Sequence, residues 1–594
     1  MCGIEGSVKI NHQTVDGDWL QSVNQRALAA IAHRGPDAQA LLVKPEFTLG
    51  NTRLAIVGLD EGTQPVNHGS CNLVFNGEIY NHQQLDQGSE RVVTDSDTLN
   101  LFHFLRENGV SRLNELNGMF AFCFANEKDV FLVRDRFGEK PLFYTFVNGQ
   151  LFFASEIKAL AEVRELQLEL PDLYFHTETA LAPQTFFKDV FELEPGHYLQ
   201  IDQQTKKITK VRYYDPDLSQ LNIGFKDAVT MLRELLLEAV QLRTPQDRGH
   251  ATYISGGLDS SIIALLSRPD LLLTFIAGKG EVYDESKYAD VIASKLAKKD
   301  HSYLKLKPNH EAFSYYLFDL ISSLGSPTTS IAAFSQYILT EALSFEDFRV
   351  VLSGIGADEF FGGYVRHALA INTNFSLKRS GLSTYKPMFR KLKKDYSEPI
   401  DKYMALINRS KIHDPQMLRP TLANFFTNHD VGTAIALTDS LLTLPPLLRM
   451  DDHVNMRYGI ESRSPFLDHR LVEFGLKIPT KFKINHTKEN VLSLKHIIRH
   501  AAKEFLPPVI ANRQSKVGFP SAVNLWLAGE LHYLVENAAK ILMQLFPDEP
   551  YFQNLEKNDP FDRRNYQLVQ LASTYLLFDQ RYSHDAFVRE MLKK

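Results

Sequence analysis

Cysteine is scarce: the 594-residue chain has three, Cys2, Cys71 and Cys123. None forms a CxxC pair, so the sequence offers neither a zinc cage nor a disulfide framework and suits a reducing compartment. A run of about 18 apolar residues is also lacking, and no membrane span is expected. The N-terminus has no basic stretch followed by an apolar one, which predicts no secretory signal. Charge of one sign is equally scarce, with a net charge of −6 over the whole length. The densest basic stretch, RKLKKDY at 390–396, reads as a solvated helix face and argues against a nucleic-acid partner. These absences predict a cytoplasmic protein with neither membrane nor nucleic acid among its partners.

The composition that remains, 44% hydrophobic and 23% charged, is that of a globular protein, and the length implies at least two domains. Two textures divide the chain. Up to about residue 200, short alternating runs such as CNLVFNGEIYN, MFAFCFANEKDVFLVRD and PLFYTFVNGQLFFASE are separated by Gly, Asn and Asp turns, predicting layered sheets with helices near 18–33 and 96–107. Beyond YYDPDLSQLNIGF, the segment KDAVTMLRELLLEAVQLR has helical periodicity. The short strands ATYI, LLLTFIAG and RVVLSGIG each lead into a loop and a helical pattern, predicting a largely parallel sheet. From about 395 the chain reads as mainly helical.

Cys2 follows the initiator Met, whose removal would leave a thiol and a free α-amine on one residue. The amine, with a reference pKa of about 7.7–8.0, could take the thiol proton near neutral pH, giving a nucleophile for an acyl group. Attack on an amide requires donors for the developing oxyanion. Asn76 and Gly77 of FNGEIYN, expected at a strand-to-turn junction, can supply a side-chain amide and a backbone N–H. An amino-acid substrate also needs ion partners. Arg53 of TRLAIV can grip a carboxylate in a bidentate fashion. Asp97 of TDSD can pair with an ammonium.

In the second half, YISGGLDSS runs from an apolar strand through glycines into a helix beginning near Asp259, an arrangement whose N–H groups face an anion. It is not a Walker A loop, because no GK[ST] follows. VVLSGIGADEFFGGY places Ser353, Gly354, Asp358 and Glu359 after another strand. Asp259 and Asp358 can supply carboxylates to Mg²⁺. Lys495 of SLKHIIRHAAKEFLP offers a cation that can offset charge on an anionic group.

The series Cys2, HRGPD, RLAIV, NGE, SD, RDRFGEKPL and SEIKAL resembles the class II glutamine amidotransferase domain, an N-terminal-nucleophile hydrolase with an αββα sandwich. SGGLDSS resembles the PP-loop of ATP pyrophosphatases. With SGIGADEFFGGY, ESRSPFLD and Lys495, it is similar to the synthetase domain of glutamine-dependent asparagine synthetases. The resemblance implies a two-domain, α/β and α+β chain: a glutaminase domain over 1–210, and over 225–594 a parallel-sheet α/β PP-loop domain with a helical C-terminal part. It implies that Cys2 attacks glutamine with Asn76 and Gly77 as the oxyanion hole, while Arg53, Leu54, Ala55, Ile56, Val57, Asn76, Gly77, Glu78 and Asp97 form the glutamine site. Ile254, Ser255, Gly256, Gly257, Leu258, Asp259, Ser260, Ser261, Ala277, Ser353 and Gly354 would line the ATP site, with Mg²⁺ on Asp259 and Asp358. Ammonia from the thiol site would travel internally and displace AMP from an aspartyl-adenylate. A homodimer is compatible with the resemblance. Two positions depart from it: Ile355 stands where relatives carry an acidic or polar residue, and Ile331 where some carry an Arg. Three readings stay open on this ground: asparagine synthesis, amidation of another carboxylate such as a sugar acid or specialised metabolite, and a non-catalytic paralogue.

Overall fold

The computed structural model of the chain describes residues 2–13, 15–59, 61–85, 94–246, 248–276, 284–296, 302–328, 330–371, 376–380, 382–408, 414–486, 491–513, 522–553, 563–578 and 584–593. In its first part, antiparallel strands form two six-stranded sheets. β1 (Cys2–Lys9), β2 (Ala38–Val43), β3 (Phe47–Arg53), β8 (Phe143–Val147), β9 (Gln150–Ala154) and β10 (Val190–Glu192) take the order β10-β8-β9-β1-β3-β2. β4 (Val66–His68), β5 (Cys71–Ile79), β6 (Gly118–Ala125), β7 (Asp129–Arg134), β11 (His197–Asp202) and β12 (Ile208–Arg212) take the order β12-β11-β7-β6-β5-β4. Alternation along each strand turns one apolar face inward, so Ile4, Val8 and Leu49 meet Val74, Ala121, Cys123 and Leu132 between the sheets. Helices Gly17–Ala30 and Asp97–Asn108 pack on β1 and β5 respectively, completing four layers, αββα. Both start where a polar side chain caps them. Asp16 accepts from the N–H groups of Asp18 and Trp19 at 2.9 and 3.3 Å, and Ser96 from that of Leu99 at 3.3 Å.

The second part is built on five parallel strands: β13 (Ala251–Tyr253), β14 (Leu271–Phe275), β15 (Ser302–Leu306), β16 (Val350–Leu352) and β17 (Glu461–Arg463). Their order is β15-β14-β13-β16-β17. The chain winds outward from β13 to β15 and then returns to the other side of β13. The order therefore reverses between β13 and β16, and such a reversal opens a crevice at the carboxyl ends of the strands. The loops Ile254–Gly257 and Ser353–Gly356 leave β13 and β16 at that crevice. β15 and β17 are additional to the three strands that the apolar runs announce.

The largest apolar clusters do not respect the division into two parts. Leu54, Ile56, Tyr80 and Met119 of the sandwich share a core with Ile254, Leu352 and Phe466. Val23, Ile31, Phe143 and Phe152 share another with Ala251, Leu271 and Val351. Among the described residues, one helical stretch, Val431–Met456, has the length and apolar composition to cross a membrane. Of its apolar window 61% is buried inside the fold, which marks it as core.

Candidate functional site

Cys2 opens β1 and is 5% exposed. It lies in a cavity lined by Arg53, Leu54, Ile56, Val57, Gln64, Phe75, Gly77, Glu78, Asp97, Thr98 and Glu461. Pairing of β1 with β3 sets Cys2 opposite Arg53. Asn76 is fully buried; its Oδ1 accepts the Cys2 N–H at 3.3 Å, and its Nδ2 has no hydrogen-bond partner. A buried amide donor beside a thiol, with no other acceptor, is available to an oxyanion. Asn76, Gly77 and Glu78 lie inside β5, opposite Ala121, Phe120 and Met119 of β6. They do not sit at the strand-to-turn junction expected from Asn-Gly. Strand alternation is what sends the Asn76 and Glu78 side chains to one face. Gly77 has φ +151°, and a Cβ there would overlap the Met119 carbonyl; only glycine permits this approach.

Of the expected glutamine-site residues, Arg53, Leu54, Ile56, Val57, Gly77, Glu78 and Asp97 line the same cavity, whereas Ala55 and Asn76 are not among its lining residues. Arg53 is tied to the carbonyls of Gly58 at 2.9 Å and Leu59 at 3.2 Å. Asp97 is the first residue of its helix, and its Oδ2 accepts the Ile79 N–H at 3.2 Å. Burial raises its pKa, against the pull of His82. Three neighbours of the thiol were not legible as such. Gln64 Nε2 lies 3.6 Å from Cys2 Sγ, while its Oε1 accepts the Phe75 N–H at 2.6 Å. Gln64 lies in a loop with no motif around it. Arg34, from HRGPD, donates to the Cys2 carbonyl at 3.3 Å and pairs with Glu156 of SEIKAL and with Asp452, both at 2.8 Å. Glu461 reaches the thiol cavity from the far half of the chain.

Glu461 and Glu78 share one cation. Arg463 Nε donates to Glu461 Oε1 at 2.5 Å, and Nη2 pairs with Glu78 Oε2. Burial, together with the adjacent Glu461 carboxylate, pushes the Glu78 carboxyl well above the usual range despite Arg463. Burial opposes charge on Glu461 as well, but Arg463, the N-terminal charge, a hydrogen bond from Glu78 and Lys140 together outweigh it and hold that carboxyl at about 2. One of the two therefore keeps its charge and the other resists ionisation, as expected for coupled carboxyls.

A second centre lies at the crevice between β13 and β16. Lys495 Nζ is 2.6 Å from Asp259 Oδ2 and 2.6 Å from Asp358 Oδ1. The two carboxylates expected to hold Mg²⁺ thus converge on one cationic position. Gly363 lies so close that a Cβ would overlap Asp358 Oδ1 and Lys495 Cε. Gly256 has φ +66°, and a Cβ there would meet Tyr288. The loop is braced from within: Ser255 N–H donates to Ser260 Oγ at 3.3 Å, and Gly257 N–H to Ser255 Oγ at 3.2 Å. Gly354 abuts Asp259, and Ser353 Oγ lies 3.0 Å from Ser464 Oγ. The side chains of Ile254 and Leu258 pack into the core, so these residues can meet a ligand only through their backbone. Ala277 lies outside the described residues. Burial, followed by Asp358, raises the Glu359 carboxyl to about 7; it accepts the Tyr364 hydroxyl at 2.5 Å. Ile355 packs against the cluster that holds Leu467, and Ile331 against the other large one.

Two carboxylates suit Mg²⁺, which is commonly held by one or two carboxylates plus phosphate oxygens. Among the described residues no group of three or more His, Cys, Asp or Glu is placed to enclose a metal by itself.

Comparison with known proteins follows the same division. Residues 1–214 match the family model of the glutamine amidotransferase domain, and residues 231–572 that of asparagine synthase. "Asparagine synthetase [glutamine-hydrolyzing] 1" of Bacillus subtilis is 28% identical over 90% of this chain and 89% of its own length. "Amidase chry2" of Gibberella zeae is also 28% identical, over 90% of each chain. Among solved structures, the glutamine phosphoribosylpyrophosphate amidotransferase of B. subtilis aligns at TM-score 0.27 and 17% identity, over 62% of this chain and 77% of that one. A buried thiol with a free amide donor and a switch-point crevice holding two carboxylates, joined in one chain that both family models cover, place this protein in the asparagine synthase family, with a glutamine amidotransferase domain ahead of its ATP-using synthetase domain.

Proposed function

We propose that the chain hydrolyses glutamine at Cys2 and uses the ammonia to amidate the side-chain carboxylate of aspartate, which ATP has activated as an adenylate. The products are asparagine, AMP, pyrophosphate and glutamate. The reading assigns domain limits of 1–210 and 225–594. The observation that carries it is the convergence of Asp259, Asp358 and Lys495 at the switch-point crevice of a chain whose other end holds the thiol cavity.

In the first half-reaction, loss of Met1 frees the Cys2 amine, which takes the thiol proton. The thiolate attacks the glutamine side-chain amide. Asn76, oriented by its bond to Cys2 N, turns Nδ2 toward the oxyanion, with the Gly77 N–H as second donor. Arg53 takes the substrate carboxylate; Glu78 and Asp97 take its ammonium. The protonated Cys2 amine returns its proton to the amide nitrogen as the tetrahedral intermediate collapses and expels ammonia, and water then hydrolyses the thioester to glutamate and the free thiol. In the second, the Ser255–Ser261 turn and Ser353–Gly354 cradle ATP. Asp259 and Asp358 are the residues that would hold Mg²⁺, which would neutralise phosphate charge. Lys495 offsets the charge that builds on the departing pyrophosphate, and ammonia attacks the adenylate carbonyl to release AMP.

The test uses the full-length protein. Cys2→Ala should abolish glutaminase and glutamine-dependent amidation while keeping amidation from ammonium salts. Lys495→Ala should remove amidation and spare glutaminase. Parallel loss of both activities in either folded variant would refute separate centres.

Ile355 favours a second reading, in which another carboxylate is the acceptor. An Ile packed on the core cannot pair with the ammonium of aspartate. Pyrophosphate release with ammonium as nitrogen source, compared across aspartate and other carboxylic acids, separates the two. Robust turnover of aspartate upholds asparagine synthesis. Turnover confined to another acid replaces it.

A further inference from the structure

The cation shared by Glu78 and Glu461 comes from β17, a three-residue strand of the synthetase half. Arg463 is 2% exposed and spends its guanidinium on three partners: Glu461, Glu78 and, through Nη1 at 2.9 Å, the Arg243 carbonyl. Its own carbonyl accepts the Ser353 N–H at 3.0 Å, and the next side chain, Ser464, meets Ser353 Oγ at 3.0 Å. β17 therefore has one end in the thiol cavity, where Glu461 forms part of the wall, and the other against the loop that leaves β16. Two carboxyls draw on this one guanidinium, so Glu78 can exchange its share of it for another positive charge. The α-ammonium of an amino acid is such a charge, and Glu78 stands in the wall where it would arrive.

We propose that Arg463 and the α-ammonium of glutamine compete for Glu78, that Glu461 is the second anion to which Arg463 is handed, and that this exchange couples the thiol cavity to the Ser353 loop. The inference rests on the glutamine and ATP sites proposed above. Glu461 then acts as a positioning residue: it works through Arg463 and keeps Glu78 available to the substrate. With Glu461 neutralised, Arg463 has Glu78 as its sole anion, and the ammonium must displace a fully committed guanidinium. Because β17 also holds Ser353, moving Arg463 changes the geometry of the nucleotide loop. Linkage then requires glutamine and nucleotide to alter each other's affinity by one common factor.

Two measurements test this. In the first, steady-state glutaminase kinetics of Glu461→Gln are compared with wild type. KM for glutamine should rise about tenfold, the scale of a typical coupling between sites, with kcat within about twofold. Glu461→Asp should recover part of the affinity. A loss confined to kcat, or an unchanged KM in the folded variant, overturns the exchange. In the second, binding is measured on the non-turning Cys2→Ser protein by calorimetry, using glutamine and a non-hydrolysable ATP analogue. Each ligand should shift the affinity of the other by the same factor, about fivefold or more, and Ser464→Ala should shrink that factor. Binding of both ligands with no mutual effect overturns the coupling and leaves the two-site function standing. Failure of glutamine or the analogue to bind at all overturns that function and this inference together.

Discussion

Asn76 shows how far one side chain can be decisive. Its carboxamide is split between two tasks, since Oδ1 is engaged by Cys2 N while Nδ2 is buried and free. Asn76→Ala should therefore lower the kcat of glutamine hydrolysis by roughly 10²–10³, the cost of removing one oxyanion donor, with a much smaller change in KM. An effect on KM alone would assign Asn76 to ground-state binding. Glu359 carries a second prediction at this scale. Its carboxyl is raised from 4.5 to about 7, chiefly by burial. Between these values the folded protein holds a proton that the unfolded chain has released. The contribution of this group to stability is therefore complete below about 4.5 and declines as pH rises through about 7. Glu359→Gln keeps an oxygen for the Tyr364 hydroxyl and removes the titration. Denaturant melts at pH 5.5 and pH 8 should show wild type losing more stability than the variant over that interval. Equal losses would place the Glu359 pKa near its ordinary value.

At the scale of elements, two glycines separate folding from chemistry. A Cβ at Gly77 would strike the backbone of β6, which cannot yield without unpairing the sheet. Gly77→Ala should cost on the order of 2–4 kcal/mol of stability in a denaturant melt. At Gly363 the obstacles are instead the ends of Asp358 and Lys495, which can swing aside. Gly363→Ala should leave the melt nearly unchanged and cut amidation while sparing glutaminase; a stability loss as large as that of Gly77→Ala would reverse this assignment. The same contrast explains what could be read from the sequence. β13, β14 and β16 are visible because ATY, LLLTF and VVL are apolar runs bounded by turns. β17 is Glu-Ser-Arg, fully charged at both ends and buried, and nothing in its composition announces a strand. Its burial is tolerable because Arg463 pairs with Glu461 inside the strand, donates to the Arg243 carbonyl and meets Glu78, 383 positions earlier in numbering than Glu461. β15, SYLKL, lies at the sheet edge with partly exposed faces and has too weak an apolar signal. The order of motifs around Cys2 was legible because each residue type has a chemical task. Gln64 was not, because its place beside the thiol is set by the path of a loop.

For the whole molecule, the question is whether two catalytic halves are also two folding units. The shared cores say that they are not independent. Leu54, Ile56, Tyr80 and Met119 are buried against apolar side chains of the synthetase half, as are Val23, Ile31, Phe143 and Phe152. Separating the halves would return that surface to water, at about 25 cal/mol per Å². Charges add to the tie. Arg34 joins Glu156 of the sandwich to Asp452 of the helix Leu444–Met456, and Lys140 reaches the same Asp452 at 3.1 Å. Burial would raise the Asp452 pKa, but Arg34 and Lys140 together hold it below the usual range. Its charge is thus kept inside the protein by partners from the other half, and breaking such a buried set typically costs about 3–5 kcal/mol. Asp452→Asn in the full chain should lower stability by that order and weaken glutamine hydrolysis as well, because Arg34 also holds the Cys2 carbonyl. A fragment of residues 1–214, made alone, loses Asp452 together with the apolar partners. It should melt well below the full chain and bind a hydrophobic dye. If the fragment instead melts as high as the full chain and hydrolyses glutamine at the same rate, the halves fold independently and the shared cores contribute little to either.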